Sequence, residues 1–382
     1  MKKTAFFLLT SAILISLFLS EYGRSQDNSS IIRVCVEKDK DEILLKVKSA
    51  YRILALNSGL ELDKGRRIRG AYVTPLNSGI RLGGKEFKVY GIRIIPRKDS
   101  SIYLGKKRFR GIIDIIRTKE MKLLVVNHLG LEQYLYGVLN REVPYYWPME
   151  TLKAQAIAAR TFAQYRIGIS GEKDFDVTSD IYSQVYGGRS KESRNTTRAV
   201  NATKGMVLTQ NGEFLPAYYH SICAGHTENA KHVFEVNLKP LRGRRDPYCG
   251  GAKGMHWKAI FSYKQMEERL NNYGIKVKGI NFIVEGRRDR SGRLETIKIR
   301  DKEGVKSIKG YKFRLALGPN MVRSTNFRIR ITRKGVLFTG KGWGHGVGMC
   351  QWGAFGMGKR YFRYKQILNF YYPGADIKTL SR

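Results

Sequence analysis

From residue 31 to residue 125 the chain alternates apolar and polar side chains in short runs, and glycine interrupts them repeatedly. Ile32-Arg-Val-Cys-Val36, Ile43-Leu-Leu-Lys-Val47 and Lys122-Leu-Leu-Val-Val126 read as strands. Glycines at 59, 65, 70, 79, 83, 84 and 91 punctuate them. Further strands are expected near 205–222 and 294–300, and helices over 131–142, 148–167, 263–271 and 364–371. The expected fold is therefore α+β, with mainly antiparallel strands and a few helices. A chain of 382 residues can bury a large core, and two subdomains around a cleft are expected. There is no internal repeat and no low-complexity tract. Gly344-His-Gly-Val-Gly348 lacks the strand-then-helix setting of a phosphate loop.

The sharpest helical signal is Leu131-Glu-Gln-Tyr-Leu-Tyr-Gly-Val-Leu-Asn-Arg-Glu142. Leu131, Leu135, Val138 and Leu139 recur on one helical face, and Glu142 falls on that face at its far end. Pro144 stops the helix just after it. A carboxylate there loses solvation and meets the negative end of a helix. Both effects raise its pKa toward what a general acid needs. A plain surface Glu at a helix end is the commoner case, so spacing alone leaves both readings open. Pro148 then opens a second helix, with Leu152, Ala156, Ala159 and Ala163 on one face.

These two blocks resemble the SpoIID/LytB family, the sporulation stage II protein D and amidase-enhancer group. Its pattern runs Tyr-Leu-x-Gly-Val-x-x-x-Glu-Met-Pro, then Trp-Pro-x-Glu-Ala-Leu-Lys-Ala-Gln-Ala-Val-Ala-Ala-Arg-Thr. Here Val143 replaces the Met and Thr151 one Ala. Ser183-Gln-Val-Tyr-Gly187, Ala217-Tyr-Tyr-His220-Ser and Ala224-Gly-His-Thr-Glu-Asn229 continue the resemblance. So do Leu317-Gly318, Arg323-Ser-Thr-Asn-Phe327, the block from Gly342 to Ala354, and Tyr371-Tyr-Pro-Gly374. Cys350 stands where many members have Ser. The resemblance implies a catalytic core at 126–376, after a β-rich region at 27–125 and before a tail at 377–382. It also implies a role for Arg160 in positioning substrate or Glu142. Gln184, Tyr186, Gln351 and Trp352 carry amides and rings suited to sugars, although each alone could equally be a core or surface residue. His345 lies in a glycine-rich loop that either lines the cleft or makes a tight turn.

The formal charge is +38, with basic clusters at Lys64–Arg69, Lys106–Arg110 and Arg287–Arg290. Such a charge demands an anionic partner or surface. Nucleic acid would be the first guess. The N-terminus argues against it: Lys2 and Lys3 precede a mainly apolar stretch from Thr4 to Ser20. That pattern reads as an export signal within 1–26, either cleaved or kept as an anchor. Residues 27–30 form a polar linker. An exported, envelope-located domain meets cell wall rather than nucleic acid, and touches membrane only through that segment.

Cys35, Cys223, Cys249 and Cys350 are the only cysteines. His220, Cys223 and His226 recur at intervals of three, with Cys249 further on. Two imidazoles and two thiols could hold one structural zinc, and some family members carry zinc in this region. The alternatives are a Cys223–Cys249 disulfide, natural after export, or free cysteines with His220 lining the cleft. Cys35 and Cys350 are expected to be buried small apolar residues.

The resemblance implies a lytic transglycosylase acting on peptidoglycan glycan strands. Glu142 would be acid and then base, and 1,6-anhydro-muramyl ends the product. That chemistry needs no cofactor and no paired carboxylates; Asp174, Asp176 and Asp180 are downstream candidates that no motif singles out. The alternative is a non-catalytic wall-binding protein that enhances a partner amidase or is recruited by another protein. A zinc hydrolase using His220, His226 and Glu228 matches no hydrolytic zinc spacing.

Overall fold

The computed structural model describes residues 31–97, 100–180 and 183–380. The expected signal or anchor at 1–26 and the linker at 27–30 lie outside the described residues. The fold is α+β, with mostly antiparallel strands and, among the described residues, eight α-helices. None of those helices is long and apolar enough to cross a membrane. The chain divides into two compact units: the first takes residues up to Tyr146, Ala159–Val207 and the stretch from Lys378, and the second takes Trp147–Ala158 and Leu208–Ile377.

The first unit is built on two sheets. One has seven strands in the order Val177–Thr178, Ile31–Lys40, Leu123–Gly130, Ile112–Arg117, Gly91–Pro96, Tyr51–Ala55 and Glu61–Gly65. Its pairs are antiparallel except the short parallel one between Ile31–Lys40 and Val177–Thr178. The other has six antiparallel strands, ordered Lys107–Phe109, Ile102–Leu104, Ile43–Val47, Ile68–Leu76, Gly79–Leu82 and Lys85–Phe87. In Gly91–Pro96 every second residue is buried, so Ile92 and Ile94 enter the core while their neighbours do not. Leu123–Gly130 is buried on both faces and runs across the boundary expected between 125 and 126.

Helix α1, Leu131–Glu142, follows that strand directly and has the ends its sequence dictates. Leu131, Tyr134, Leu135, Val138 and Leu139 are buried, each worth roughly 1.5–3 kcal/mol in area removed from water. Val143 is already extended and Pro144 prevents continuation. Helix α2 covers Met149–Ile169. Its Ala159 and Ala163 are fully buried in the first unit, and Leu152 and Ala156 in the second.

In the second unit, His256–Phe261, Gly335–Lys341 and Phe327–Thr332 form one antiparallel sheet, and Phe282–Glu285, Thr296–Asp301 and Gly304–Lys309 another. Helices Tyr263–Asn272 and Gly310–Leu317 contribute Met266, Leu270, Phe313 and Leu317 to a core with Trp257, Ile297, Phe327 and Phe338. A more irregular region is tied by a parallel pair, Tyr219–His220 with Met349–Cys350, and by bridges from Ile222 to Trp343 and Glu228 to Val347. Helices Gln351–Lys359 and Tyr364–Tyr371 follow.

Candidate functional site

Glu142 is half-buried at the last position of α1. Its Oε1 accepts a hydrogen bond from the Val185 N–H at 3.2 Å. The segment that presents this N–H is held on both sides. Gly187 N–H donates to Gly137 O at 3.1 Å, and the Tyr186 N–H donates to Ser179 O at 3.3 Å. Gly137 is required here, because a Cβ would meet the Tyr186 ring at 2.6 Å. Gln184 accepts from the Tyr134 hydroxyl at 3.2 Å and donates to Ala159 O at 3.2 Å. Tyr186 donates to Asn127 Oδ1 at 2.9 Å. Gln184 and Tyr186, expected to meet sugar, are both buried and serve to hold the segment beside Glu142. Burial, and then the charge of Glu142, push the Tyr134 phenol well above its ordinary range. Just beyond Glu142 in sequence, Tyr145 is 53% and Tyr146 71% exposed, with their rings edge-on at 5.6 Å.

Arg160, expected to position substrate or Glu142, has no exposed surface. Its guanidinium binds both carboxylate oxygens of Glu132, at 2.8 and 2.7 Å, and the carbonyls of Met206 and Val200 at 3.0 and 3.2 Å. Glu132 lies in the first turn of α1, where the helix dipole also favours a carboxylate, and takes the Gly205 N–H as well. Arg160 therefore pins the start of the helix whose end carries Glu142. A buried arginine must find a carboxylate, but nothing in the spacing singled out Glu132.

The remaining expected residues lie in the second unit. Gln351 is buried, and Trp352 is half-buried with its ring 5.5 Å from those of Trp147 and Phe355. His345 accepts from the Val347 N–H at 3.0 Å, its ring 5.6 Å from that of His220. Gly346 and Gly348 around it are left-handed, and a Cβ on Gly348 would meet Tyr218 O at 2.0 Å, so this loop is a tight turn against protein. His220 is buried with Nδ1 3.0 Å from Val347 O and no hydrogen-bond partner for Nε2. Burial, then His345, push its pKa well below the ordinary value, so the ring is neutral.

His226 sits half-buried with Nδ1 2.6 Å from Thr227 O. Beside it, Glu228 and Asp289 form a carboxyl pair next to His232, whose Nδ1 lies 3.1 Å from Glu228 and 3.4 Å from Asp289. Burial, and then the hydrogen bond to Asp289, raise Glu228 to about 7. Burial opposes ionisation of Asp289, but hydrogen bonds from Glu228 and Ser291 hold it below its ordinary value. The opposite directions of the two shifts favour the proton on Glu228 over Asp289. A cavity of about 710 Å³ opens here, lined by His226, His232, Asp289 and Ser291 among others.

The four candidate metal ligands do not converge as a set. Cys223 and Cys249 come together, but with Asp246 and Cys350 rather than with His220 and His226. All four members are buried, and their donor atoms lie within 4.8 Å of one another. Cys350 Sγ is 3.5 Å from Cys249 Sγ, and Cys223 Sγ 3.1 Å from Asp246 Oδ2. The three thiols are unbonded. Hydrogen bonds from Cys223 and Cys350 hold the Cys249 thiol below its ordinary range, while burial raises Cys350. Asp246 and Cys350 were missed. Cys350 has apolar neighbours in sequence, and Asp246 stands in a basic run, Arg244-Arg-Asp-Pro-Tyr-Cys249, that reads as surface.

Comparison with known proteins agrees with the motifs. Residues 119–210 match the family model described as stage II sporulation protein, and residues 243–348 match a domain of unknown function. An uncharacterized protein of Brachyspira hyodysenteriae is 35% identical over 93% of this chain and 95% of its own length. The amidase enhancer of Bacillus subtilis is 28% identical over 81% of this chain and 50% of its own length. Stage II sporulation protein D of the same organism is 30% identical over 66% of this chain and 75% of its own length. The family model covers both α1 with Glu142 and α2 with Arg160. The chain belongs to the SpoIID/LytB family.

Proposed function

We propose that this protein acts on the bacterial cell wall as a lytic transglycosylase, cleaving peptidoglycan glycan strands with Glu142 as the one acid and base. The observation that carries the reading is a half-buried carboxylate, fixed by a backbone N–H, at the end of a helix whose start is clamped by a buried ion pair. Protonated Glu142 gives its proton to the glycosidic oxygen between N-acetylmuramic acid and N-acetylglucosamine. The C1–O bond breaks as the C6 hydroxyl of the same muramic acid attacks C1, and the Glu142 carboxylate takes up the hydroxyl proton. The products are a 1,6-anhydro-muramyl end and a free 4-hydroxyl on the glucosamine. No water is consumed, so a second carboxylate is not needed. Tyr145 and Tyr146 offer ring faces for sugar stacking beside the acid. The excess of basic residues suits an anionic wall, and export through the N-terminal segment would deliver the chain to it.

A second reading, a non-catalytic enhancer of a wall amidase, is favoured by the similarity to the Bacillus subtilis amidase enhancer over most of this chain. One experiment separates the two. Purified glycan strands, with and without stem peptides, are incubated with the full chain and analysed by mass spectrometry. Anhydro ends, one water lighter than hydrolytic ends, are expected. Reducing muramyl ends would make the protein a muramidase. No cleavage of either preparation, with stimulation of an added amidase, would establish the enhancer.

A further inference from the structure

We infer that Cys223, Asp246, Cys249 and Cys350 are the ligands of one tetrahedral zinc-type cation that staples three separate segments of the second unit. The ligands come from the turn after Tyr219–His220, from the loop at Asp246–Cys249, and from the residue capping helix Gln351–Lys359. This inference is independent of the glycan chemistry, which needs no metal.

Size supports it first. Zinc bonds of ~2.3 Å to sulfur and ~2.0–2.2 Å to oxygen place tetrahedral donors roughly 3.5–3.8 Å apart. The separations of 3.5 Å between Cys249 and Cys350 and 3.1 Å between Cys223 and Asp246 need only small side-chain shifts to reach that. Chemistry supports it next. Three thiols with one carboxylate carry the same formal charge as the four-cysteine sites that hold structural zinc, and thiolate-rich tetrahedral sets favour zinc over hard cations.

The surroundings are arranged for anionic ligands. Cys223 N–H and Gly353 N–H both donate to Cys350 Sγ, at 3.2 and 3.3 Å. Tyr371 O–H donates to Asp246 Oδ2 at 2.8 Å, and Tyr248 N–H to its Oδ1 at 2.9 Å. Such outer contacts orient metal ligands. Gly353 makes room for them: a Cβ there would meet Tyr371 Oη at 2.0 Å and Asp246 Oδ2 at 2.3 Å. Finally, Asp246 is 2% exposed, yet among the described residues no lysine, arginine or histidine forms an ion pair with it. In a chain of net charge +38, a buried carboxylate beside three thiols and no basic side chain is a place kept for a cation. A disulfide would use two of the three sulfurs and leave the third, with Asp246, unexplained.

The test uses the full chain purified without chelator under reducing conditions. Metal analysis should find about one zinc per chain, retained through gel filtration. Replacement by cobalt should give sulfur-to-metal charge-transfer bands and the intense visible bands of tetrahedral coordination. Cys350→Ser, close in size to the parent side chain, should fold and lose most of the metal; His226→Ala and Cys35→Ser should keep it. Metal lost in His226→Ala but kept in Cys350→Ser would move the site to the histidines and overturn the assignment. Metal-free protein would overturn it too, whether its mass shows the loss of two hydrogens for a disulfide or four free thiols on denaturation.

Discussion

The surroundings of Glu142 and those of the cysteine cluster treat buried charge in opposite ways. In the first unit each buried or half-buried carboxylate of the scaffold has a cation of its own: Glu132 has Arg160, Asp114 has Arg93 and His128, Asp176 has Arg33, and Glu192 has Arg110. Glu142 stands at a helix end on that scaffold. In the second unit Asp246 faces thiols and Glu228 faces another carboxyl. A buried carboxyl with no basic residue of its own is costly unless a cation or a shared proton satisfies it. The contrast separates a scaffold of paired charges from a region whose buried carboxyls face thiols or one another.

The largest effect should come from Glu142→Gln, which keeps shape and removes the transferable proton. Glycan cleavage should fall by ~10²–10⁴-fold while glycan binding and thermal stability stay near the parent values. Turnover close to the parent would remove Glu142 from the mechanism.

Breaking a paired charge should cost far more than neutralising an unpaired one. Arg160→Ala leaves Glu132 without its partner and should lower unfolding free energy by ~3–5 kcal/mol in denaturant titration. Asp246→Asn, in protein stripped of metal, should stay within about 1 kcal/mol of the parent, because no ion pair is lost. Equal losses in the two variants would erase the contrast between the two regions.

The smallest effect is the pH dependence carried by Glu228. Its pKa is raised from 4.5 to about 7 in the folded state, so the folded protein holds that proton more tightly than the unfolded chain. The stabilisation is complete below about 4.5 and is lost as pH rises through about 7. Asp289 shifts the opposite way, below its ordinary value of 3.8 and outside that window. Arg293, Ser291 and His232, the other groups facing the pair, are common to parent and variant. The stability of the parent relative to Glu228→Gln should therefore fall steadily from pH 4.5 to 7.5. A flat difference across that range would mean that Glu228 ionises as an ordinary carboxyl.

Much of the local structure was legible in the residues. The apolar stripe and Pro144 set both ends of α1, and Ile43–Val47 forms over the residues its pattern marks. Helix Gln351–Lys359 was not anticipated, since Gly353, Gly356 and Gly358 argue against a helix by propensity. Its glycines answer to packing. A Cβ on Gly356 would meet Tyr248 O at 2.2 Å, and one on Gly358 would meet Thr151 Oγ1 at 2.2 Å. Arg194–Ala202 escaped notice because only Thr196, Ala199 and Val200 are buried, too few to mark a stripe.

The sequence by itself determined the family, the strand-rich character of the N-terminal region and the two helices around Glu142. Each of these rests on periodicity, on proline, or on an ordered set of motifs, all readable along a short stretch of chain. Only the tertiary structure decided which side chains those motifs bring together. It turned Arg160 to Glu132, Gln184 and Tyr186 into the core, and Cys223 toward Asp246 and Cys350, partners 23 and 127 positions away. Such pairings follow from loop closure and the packing of distant elements, and no local spacing encodes them.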